Sequence, residues 1–269
     1  MSAGCHGGGV LSGRSNEAAQ DLGVRLPRTS RRTSLHSRRT GSTASVAPRT
    51  IRNDKMEMVR LDPPAELTMP IGEAMFSQRA TRRLDPDRPI TDAQLKIILD
   101  AASKAPNGGN VQPARFLVIR DREAIKKFGK LYHEAWWAKR RDAYGWKGKE
   151  DIPEGSQYRW AALLADEMEN APCVILAYSA ASGVAAASTF PGVQNLLLSA
   201  RALGIGSVLT TLHPEVMERV HEMFGIPDDV VFHCCIPLGY PRGNFGPTSR
   251  LPTSETTYWD KWGEAPPWK

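Results

Sequence analysis

Cysteine is scarce: four residues in 269, Cys5, Cys173, Cys234 and Cys235, with no Cys-x-x-Cys pair. A zinc-spaced thiolate set is therefore missing. Cys173 and Cys234-Cys235 lie in apolar runs, where a thiol acts as a small hydrophobe. That usage fits a reducing compartment, and a cytoplasmic location is expected. No apolar run approaches the roughly 18 residues of a membrane span, and no secretory h-region is evident. The Walker loop, G-x-S-x-G and H-E-x-x-H are all missing, and the six histidines are scattered. Hydrolytic and metal mechanisms lack their parts, so no metal ion is expected. There is no internal repeat.

Acidic residues are few at the start of the chain. Residues 1–55 hold ten Lys/Arg and three Asp/Glu, a net of +7, against +6 for the whole chain. The remaining 214 residues therefore sum to −1, and the basic balance belongs to this segment. It is rich in Arg, Ser, Thr and Gly and poor in large apolar residues. Such a segment cannot bury enough surface to offset its ordering entropy. The expected organisation is a disordered basic tail over 1–55 and one domain over 56–269. The tail reads in three ways. It resembles an Arg- and Ser-rich transit peptide. Arg31-Arg32 and Arg38-Arg39 could touch nucleic acid or an anionic surface. The plainest reading is a dispensable segment, or upstream sequence with Met56 or Met58 as the natural start. Motif-free charged tails are usually just solvated, and that favours the last.

The most informative stretch is Ala105-Pro106-Asn107-Gly108-Gly109-Asn110-Val111-Gln112-Pro113, between a helix-like run and the strand-like Arg115–Ile119. Paired glycines allow positive φ and close approach of backbone to a ligand. Asn110 and Gln112 add amide donors and acceptors. Earlier comes Gln78-Arg79-Ala80-Thr81-Arg82-Arg83, a cluster able to hold a phosphate. Together they suggest a cofactor with a phosphate tail and a flat polar ring.

Local signals outline the elements. Thr68-Met69-Pro70 starts a helix carrying Ile71, Met75 and Phe76 and ending near Arg79. Thr91-Asp92-Ala93-Gln94 is a capping box, followed by Leu95, Ile98, Leu99 and Ala102 at helical spacing. Asp121 caps a third helix bearing Ile125 and Phe128. Pro172–Tyr178 reads as a buried strand and Ser188–Leu203 as a helix. Ser207–Thr210 is a strand, Pro214–Phe224 a helix stopped by Gly225, and Val230–Leu238 the last central strand. Strands alternating with helices would by themselves suggest a doubly wound sheet.

The motifs in order resemble the nitroreductase family of FMN-dependent oxidoreductases, which includes iodotyrosine deiodinase. The resemblance runs from about Pro70 to Gly263. It rests on Gln78–Leu84, the Ala105–Pro113 loop, Gly204-Ile205-Gly206-Ser207 leading to Thr210-Thr211, and Ile236–Pro241 before Arg250-Leu251-Pro252. The chain departs at Gln78 for Arg, Ala80 and Asn107 for Ser, and Ala114 for Trp. The resemblance implies an α+β fold, a mixed and mainly antiparallel sheet flanked by helices, and a homodimer with FMN at the interface. It implies hydride transfer from NAD(P)H, by a ping-pong cycle, to a nitroaromatic, quinone or activated alkene. Dehalogenation, flavin fragmentation and non-enzymatic flavin storage are the alternatives.

By the same resemblance Arg79, Ala80, Thr81, Arg82 and Arg250 hold the phosphate. Pro106, Asn107, Gly108, Asn110 and Gln112 lie along the flavin's pyrimidine edge, and Thr210 and Thr211 sit beside N5. The flavin carries the chemistry, so no side-chain acid or base is required. Residues 132–160 hold four of the seven Trp and three of the six Tyr, interleaved with basic residues that include Lys139 and Arg140. Trp136, Trp137 and Tyr144 are the expected substrate lid, with partner-subunit packing the competing reading. His213 is a helix cap or a substrate contact.

Overall fold

The structure, a computed structural model, describes residues 50–52, 58–60, 62–180 and 185–268. The expected tail lies outside them, apart from Thr50–Arg52, as does Cys5. Two short strands, β1 (Thr50–Arg52) and β2 (Met58–Arg60), pair antiparallel across the expected 55/56 boundary.

Seven helices and four further strands follow among the described residues. Helix α1 (Ile71–Ser77) starts after Pro70 and stops two residues before Arg79. Ile71, Met75 and Phe76 are exposed on it. Helix α2 (Asp92–Ser103) opens on a complete capping box. Thr91 Oγ1 accepts from Gln94 N at 3.2 Å, and Gln94 Oε1 accepts from Thr91 N at 3.1 Å. Its Leu95, Ile98 and Ala102 are buried, one apolar stripe at helical spacing. Strand β3 (Ala114–Ile119) leads to α3 (Arg122–Tyr144), which Asp121 caps by accepting from Ala124 N at 2.8 Å. Nothing interrupts α3 until Gly145 takes φ +71, the left-handed conformation that glycine adopts without strain. Helix α4 (Tyr158–Glu167), strand β4 (Cys173–Ala180), helix α5 (Ala185–Ala202) and strand β5 (Gly206–Ser207) come next. The described part closes with α6 (Pro214–Phe224), β6 (Val230–Gly239) and α7 (Thr253–Thr256).

The main sheet has the order β3-β4-β6-β5, and every pair of named strands is antiparallel. A parallel bridge between Ala80 and Ser207 makes it mixed. This is an α+β arrangement and not a doubly wound sheet. The alternation of elements misleads for a physical reason. Strand β4 is buried over seven consecutive residues, a continuous apolar run like that of a parallel strand. Here helices cover both faces of an antiparallel centre. Val174, Leu176 and Tyr178 join the layer of Ile125, Phe128 and Tyr132 from α3. Cys173, Ile175 and Ala177 join the opposite layer, with Ile98 of α2 and Leu196 of α5. Successive residues of a strand point to opposite faces, so one short run feeds both cores. Adjacent Cys234 and Cys235 divide the same way. Cys173, Cys234 and Cys235 are free and buried, and burial pushes the Cys173 and Cys234 thiols up to about 12.

The expected strand at Ser207–Thr210 is shorter. The ladder holds at Gly206 and Ser207, breaks at Val208–Leu209, and resumes as one bridge. There Thr210 N donates to Cys235 O at 2.9 Å and Cys235 N returns a bond to Thr210 O at 2.8 Å. Among the described residues no helix is long and apolar enough to cross a membrane.

Candidate functional site

The arginine segment is fixed to the sheet by its backbone. Thr81 N donates to Ser207 O at 3.0 Å, Asp85 N to Tyr240 O at 2.8 Å, and Arg242 N to Arg83 O at 3.0 Å. Residues 80–85 are thus laced between β5 and the chain leaving β6. Thr81 rests directly on Gly206, where a Cβ would meet its Cγ2 at 2.6 Å. Glycine is required there for that close approach.

This lacing lines a cavity of about 220 Å³ with Arg79 to Arg83, Gln157, Trp160 and Asn244. No carboxylate among the described residues pairs with Arg79 or Arg82. Arg82 is half-buried, and that burial lowers its pKa, Tyr132 opposing and Arg79 adding to the effect. A partly desolvated guanidinium without a counter-charge is costly unless an anion meets it. The donor set suits a phosphate, which the planar guanidinium fork matches. Arg250 is exposed, donates to Ser249 O at 2.8 Å, and is not among the residues lining this cavity.

The Asn-Gly loop forms a 3-10 turn at Gly108–Asn110. Gly109, Asn110 and Gln112 take φ of +57, +54 and +52. Two non-glycine residues in the left-handed region mark a constrained loop. Asn107 Oδ1 accepts from Gln112 N at 2.8 Å, and Gly108 N donates to Ser188 Oγ at 3.0 Å. Asn107 therefore spends its carbonyl oxygen on the turn, while the Asn110 and Gln112 side chains are exposed. Pro106 is exposed too. Beneath the loop lies a separate cavity of about 200 Å³, lined by Asn107, Gln112, Phe116, Ser188 and Gly192. It shares no residue with the arginine cavity, so one chain does not bring the two groups into one pocket.

Thr210 and Thr211 stand over α3. Thr210 Oγ1 and Tyr132 Oη are 3.0 Å apart. Burial pushes the Tyr132 phenol well above its ordinary value, with Arg82 and Arg140 pulling the other way. Lys139 Nζ donates to Thr211 Oγ1 at 2.6 Å and also to the Thr211 carbonyl. Burial lowers the Lys139 pKa, and neighbouring Arg140 adds to that.

The expected lid residues divide. Trp136 is only 5% exposed and packs in the core layer of α3. It is a core residue here, because its position on α3 faces inward between buried Tyr132 and Ala135. Trp137 is half-buried and donates from Nε1 to His133 Nε2 at 3.2 Å. Tyr144 is exposed, stacks on Trp146 at 4.7 Å, and shares a 2.9 Å hydroxyl contact with Tyr158. His213 caps α6, its Nδ1 accepting from Glu215 N at 3.3 Å, and its Nε2 lies 3.0 Å from Asp142. From sequence alone Ser188 and Gln157 have no site role, and Tyr132, Lys139 and Trp160 fall only within the 132–160 lid region, not beside Thr210, Thr211 or the arginine cavity. The i, i+4 spacing of Trp136, Arg140 and Tyr144 was the one legible signal of the aromatic-cation cluster.

The sequence model of the Nitroreductase family matches residues 76–240. The chain is 32% identical over 173 residues to an Archaeoglobus fulgidus protein named "Putative NADH dehydrogenase/NAD(P)H nitroreductase", covering 62% of this chain and 84% of that one. It is 26% identical over 179 residues to the iodotyrosine deiodinase of Thermotoga neapolitana, covering 66% of this chain and 90% of that one. Among solved structures it superposes on an oxidized iodotyrosine deiodinase bound to FMN and 3-iodo-L-tyrosine. That superposition has a TM-score of 0.56 at 21% identity, over 68% of this chain and 96% of that one. The chain belongs to the nitroreductase family, an oxidoreductase family whose fold its antiparallel sheet and flanking helices share.

Proposed function

We propose that this chain is an FMN-dependent oxidoreductase that carries hydride from NAD(P)H to an electron-poor acceptor and works as a homodimer. The carrying observation is the half-buried Arg82, with no carboxylate partner among the described residues, beside Arg79 on the arginine cavity. In this reading Arg79 and Arg82 hold the phosphate, while Ala80 and Thr81 offer backbone and hydroxyl beside it. Arg250 closes on the same phosphate only if the 250 segment moves or a second copy supplies it. Pro106, Asn107, Gly108, Asn110 and Gln112 present the exposed polar edge for the ring. Their cavity shares no residue with the arginines, which favours two copies contributing to each site. Exposed Ile71, Met75, Phe76 and Leu251 supply apolar surface for that association.

When bound, FMN would supply the redox chemistry, with Arg79 and Arg82 holding its phosphate and the Asn107–Gln112 loop its ring edge. The chain's own groups orient and tune. Tyr132 fixes the Thr210 hydroxyl, and Lys139 fixes both the carbonyl and hydroxyl of Thr211. In this reading donor and acceptor react in turn, a ping-pong cycle. The deiodinase relative keeps reductive dehalogenation as the second reading. The test is a spectrum of the purified chain. Flavin absorbance that bleaches without oxygen on adding NADH or NADPH, and returns with a nitroaromatic or quinone, is the expected result. A colourless chain that takes up no added FMN overturns the reading, and bound flavin that resists reduction points to storage.

A further inference from the structure

Charge is handled unevenly along α3. Glu134 pairs with Arg219, and Arg141 pairs with Glu215 and Asp142. Lys139 and Arg140 are the half-buried basic residues of α3, and no carboxylate among the described residues pairs with either. Among the described residues Lys139 is held by Thr211. The Arg140 guanidinium lies 4.6 Å from the Tyr158 ring centre, 5.1 Å from Trp136 and 5.8 Å from Tyr144. Its Nε is buried with no hydrogen-bond partner. Aromatic faces stabilise the plane of the guanidinium and the Tyr158 hydroxyl meets one of its N–H groups, but neither supplies a counter-charge. Gln157, the N-cap of α4, and Trp160 in its first turn lie on either side of Tyr158 in sequence and line the cavity of Arg79 and Arg82.

We infer that Lys139 and Arg140 form an anion subsite beside the flavin site, and that the acceptor is a planar aromatic carrying a carboxylate. The inference rests on the oxidoreductase reading above. Arg79 and Arg82 are occupied there by the cofactor phosphate, so Lys139 and Arg140 are left without a counter-charge. The remaining N–H groups of the guanidinium suit a carboxylate, and the exposed rings of Tyr144 and Trp160 offer flat surface for an aromatic body. With a nitroaromatic acceptor the step is a two-electron reduction. One hydride from NAD(P)H and one proton from water convert the nitro group to nitroso, one N–O bond breaks, and its oxygen leaves as water. The carboxylate is unchanged and serves only to bind.

The test compares 4-nitrobenzoate with its neutral methyl ester, using the FMN-loaded full chain. The expected result is a kcat/KM at least about tenfold higher for the acid, one charge-assisted contact's worth. Arg140→Gln removes that preference, mainly through KM, and Arg140→Lys restores part of it. Lys139→Gln gives a second, independent loss of preference should Arg140→Gln unfold. Equal rates for acid and ester in the unaltered chain overturn the proposal. So does a loss in Arg140→Gln that is equal for both acceptors. A variant that instead raises KM for NADPH but not NADH assigns the subsite to the donor's phosphate and also overturns it. Calorimetry with benzoate on the chain as purified reads the anion site without turnover. A chain that binds benzoate through Arg140 but takes up no FMN fails the oxidoreductase reading alone. A chain that reduces both acceptors alike fails the anion subsite alone.

Discussion

At the scale of single residues, each arginine of the cavity has its own context. Arg79 is exposed while Arg82 is half-buried, and only Arg82 has its pKa lowered by desolvation. Arg82→Ala is expected to weaken FMN binding about tenfold or more, the loss of one charge-assisted contact, and Arg79→Ala somewhat less. Flavin fluorescence titration measures both, with circular dichroism as the control for folding. Unchanged affinity in both variants contradicts the phosphate assignment. Gly206→Ala tests the same segment from behind. Its Cβ would meet Thr81 at 2.6 Å, so Thr81 must shift along with the arginines beside it. A stability loss of about 1–3 kcal/mol is expected, accompanied by weaker FMN binding. Thermal melts and flavin titration together separate this from simple unfolding, because a normal Kd in a destabilised protein means that the arginines did not move.

At the scale of elements, α3 joins core to site. Its inner face buries Ile125, Phe128, Tyr132 and Trp136, and its later turns carry Lys139 and Arg140. Trp136→Ala is expected to cost about 3–5 kcal/mol, as a buried large-to-small change does, whereas half-buried Trp137→Ala costs less. Urea unfolding of the two variants gives the comparison. Similar small losses would mean that Trp136 is not a packing residue. The β1–β2 pair makes a further element-scale case. A chain beginning at Met56 lacks β1 and leaves β2 unpaired, yet the four-stranded sheet closes without either strand. Such a chain is expected to fold and bind FMN with little change in Tm. Lost flavin binding on truncation would make the hairpin part of the site.

At the scale of the whole molecule, the decisive feature is exposed apolar surface. Ile71, Met75 and Phe76 are all exposed on α1, Phe76 to 76%, and Trp262 is 88% exposed. Sedimentation is expected to find a dimer. Phe76→Asp is expected to shift it toward monomer and to weaken FMN binding in step. Monomer that keeps full affinity would place the whole flavin site within one chain. Retention by the dimer alone would fit the separation of the arginine cavity from the Asn107–Gln112 loop.

Much of the fold and part of the site can be read from sequence alone, because they depend on neighbours in the chain. The capping box at Thr91–Gln94, the Asp121 cap and the Gly225 stop are local hydrogen-bonding and steric facts. The arginine cluster and the Asn-Gly turn are legible as short runs of chemistry suited to the proposed phosphate and ring contacts. Strand direction is not, since an apolar run buried on both faces looks alike in parallel and antiparallel sheets. Nor was the role of Asn107, whose side chain closes the turn, or of Trp136, which packs inward. Tertiary structure alone decided that Tyr132 would meet Thr210 across 78 positions and Lys139 would meet Thr211 across 72. Those contacts come from packing α3 against the chain beyond β5, and nothing within a local window records which surfaces will touch.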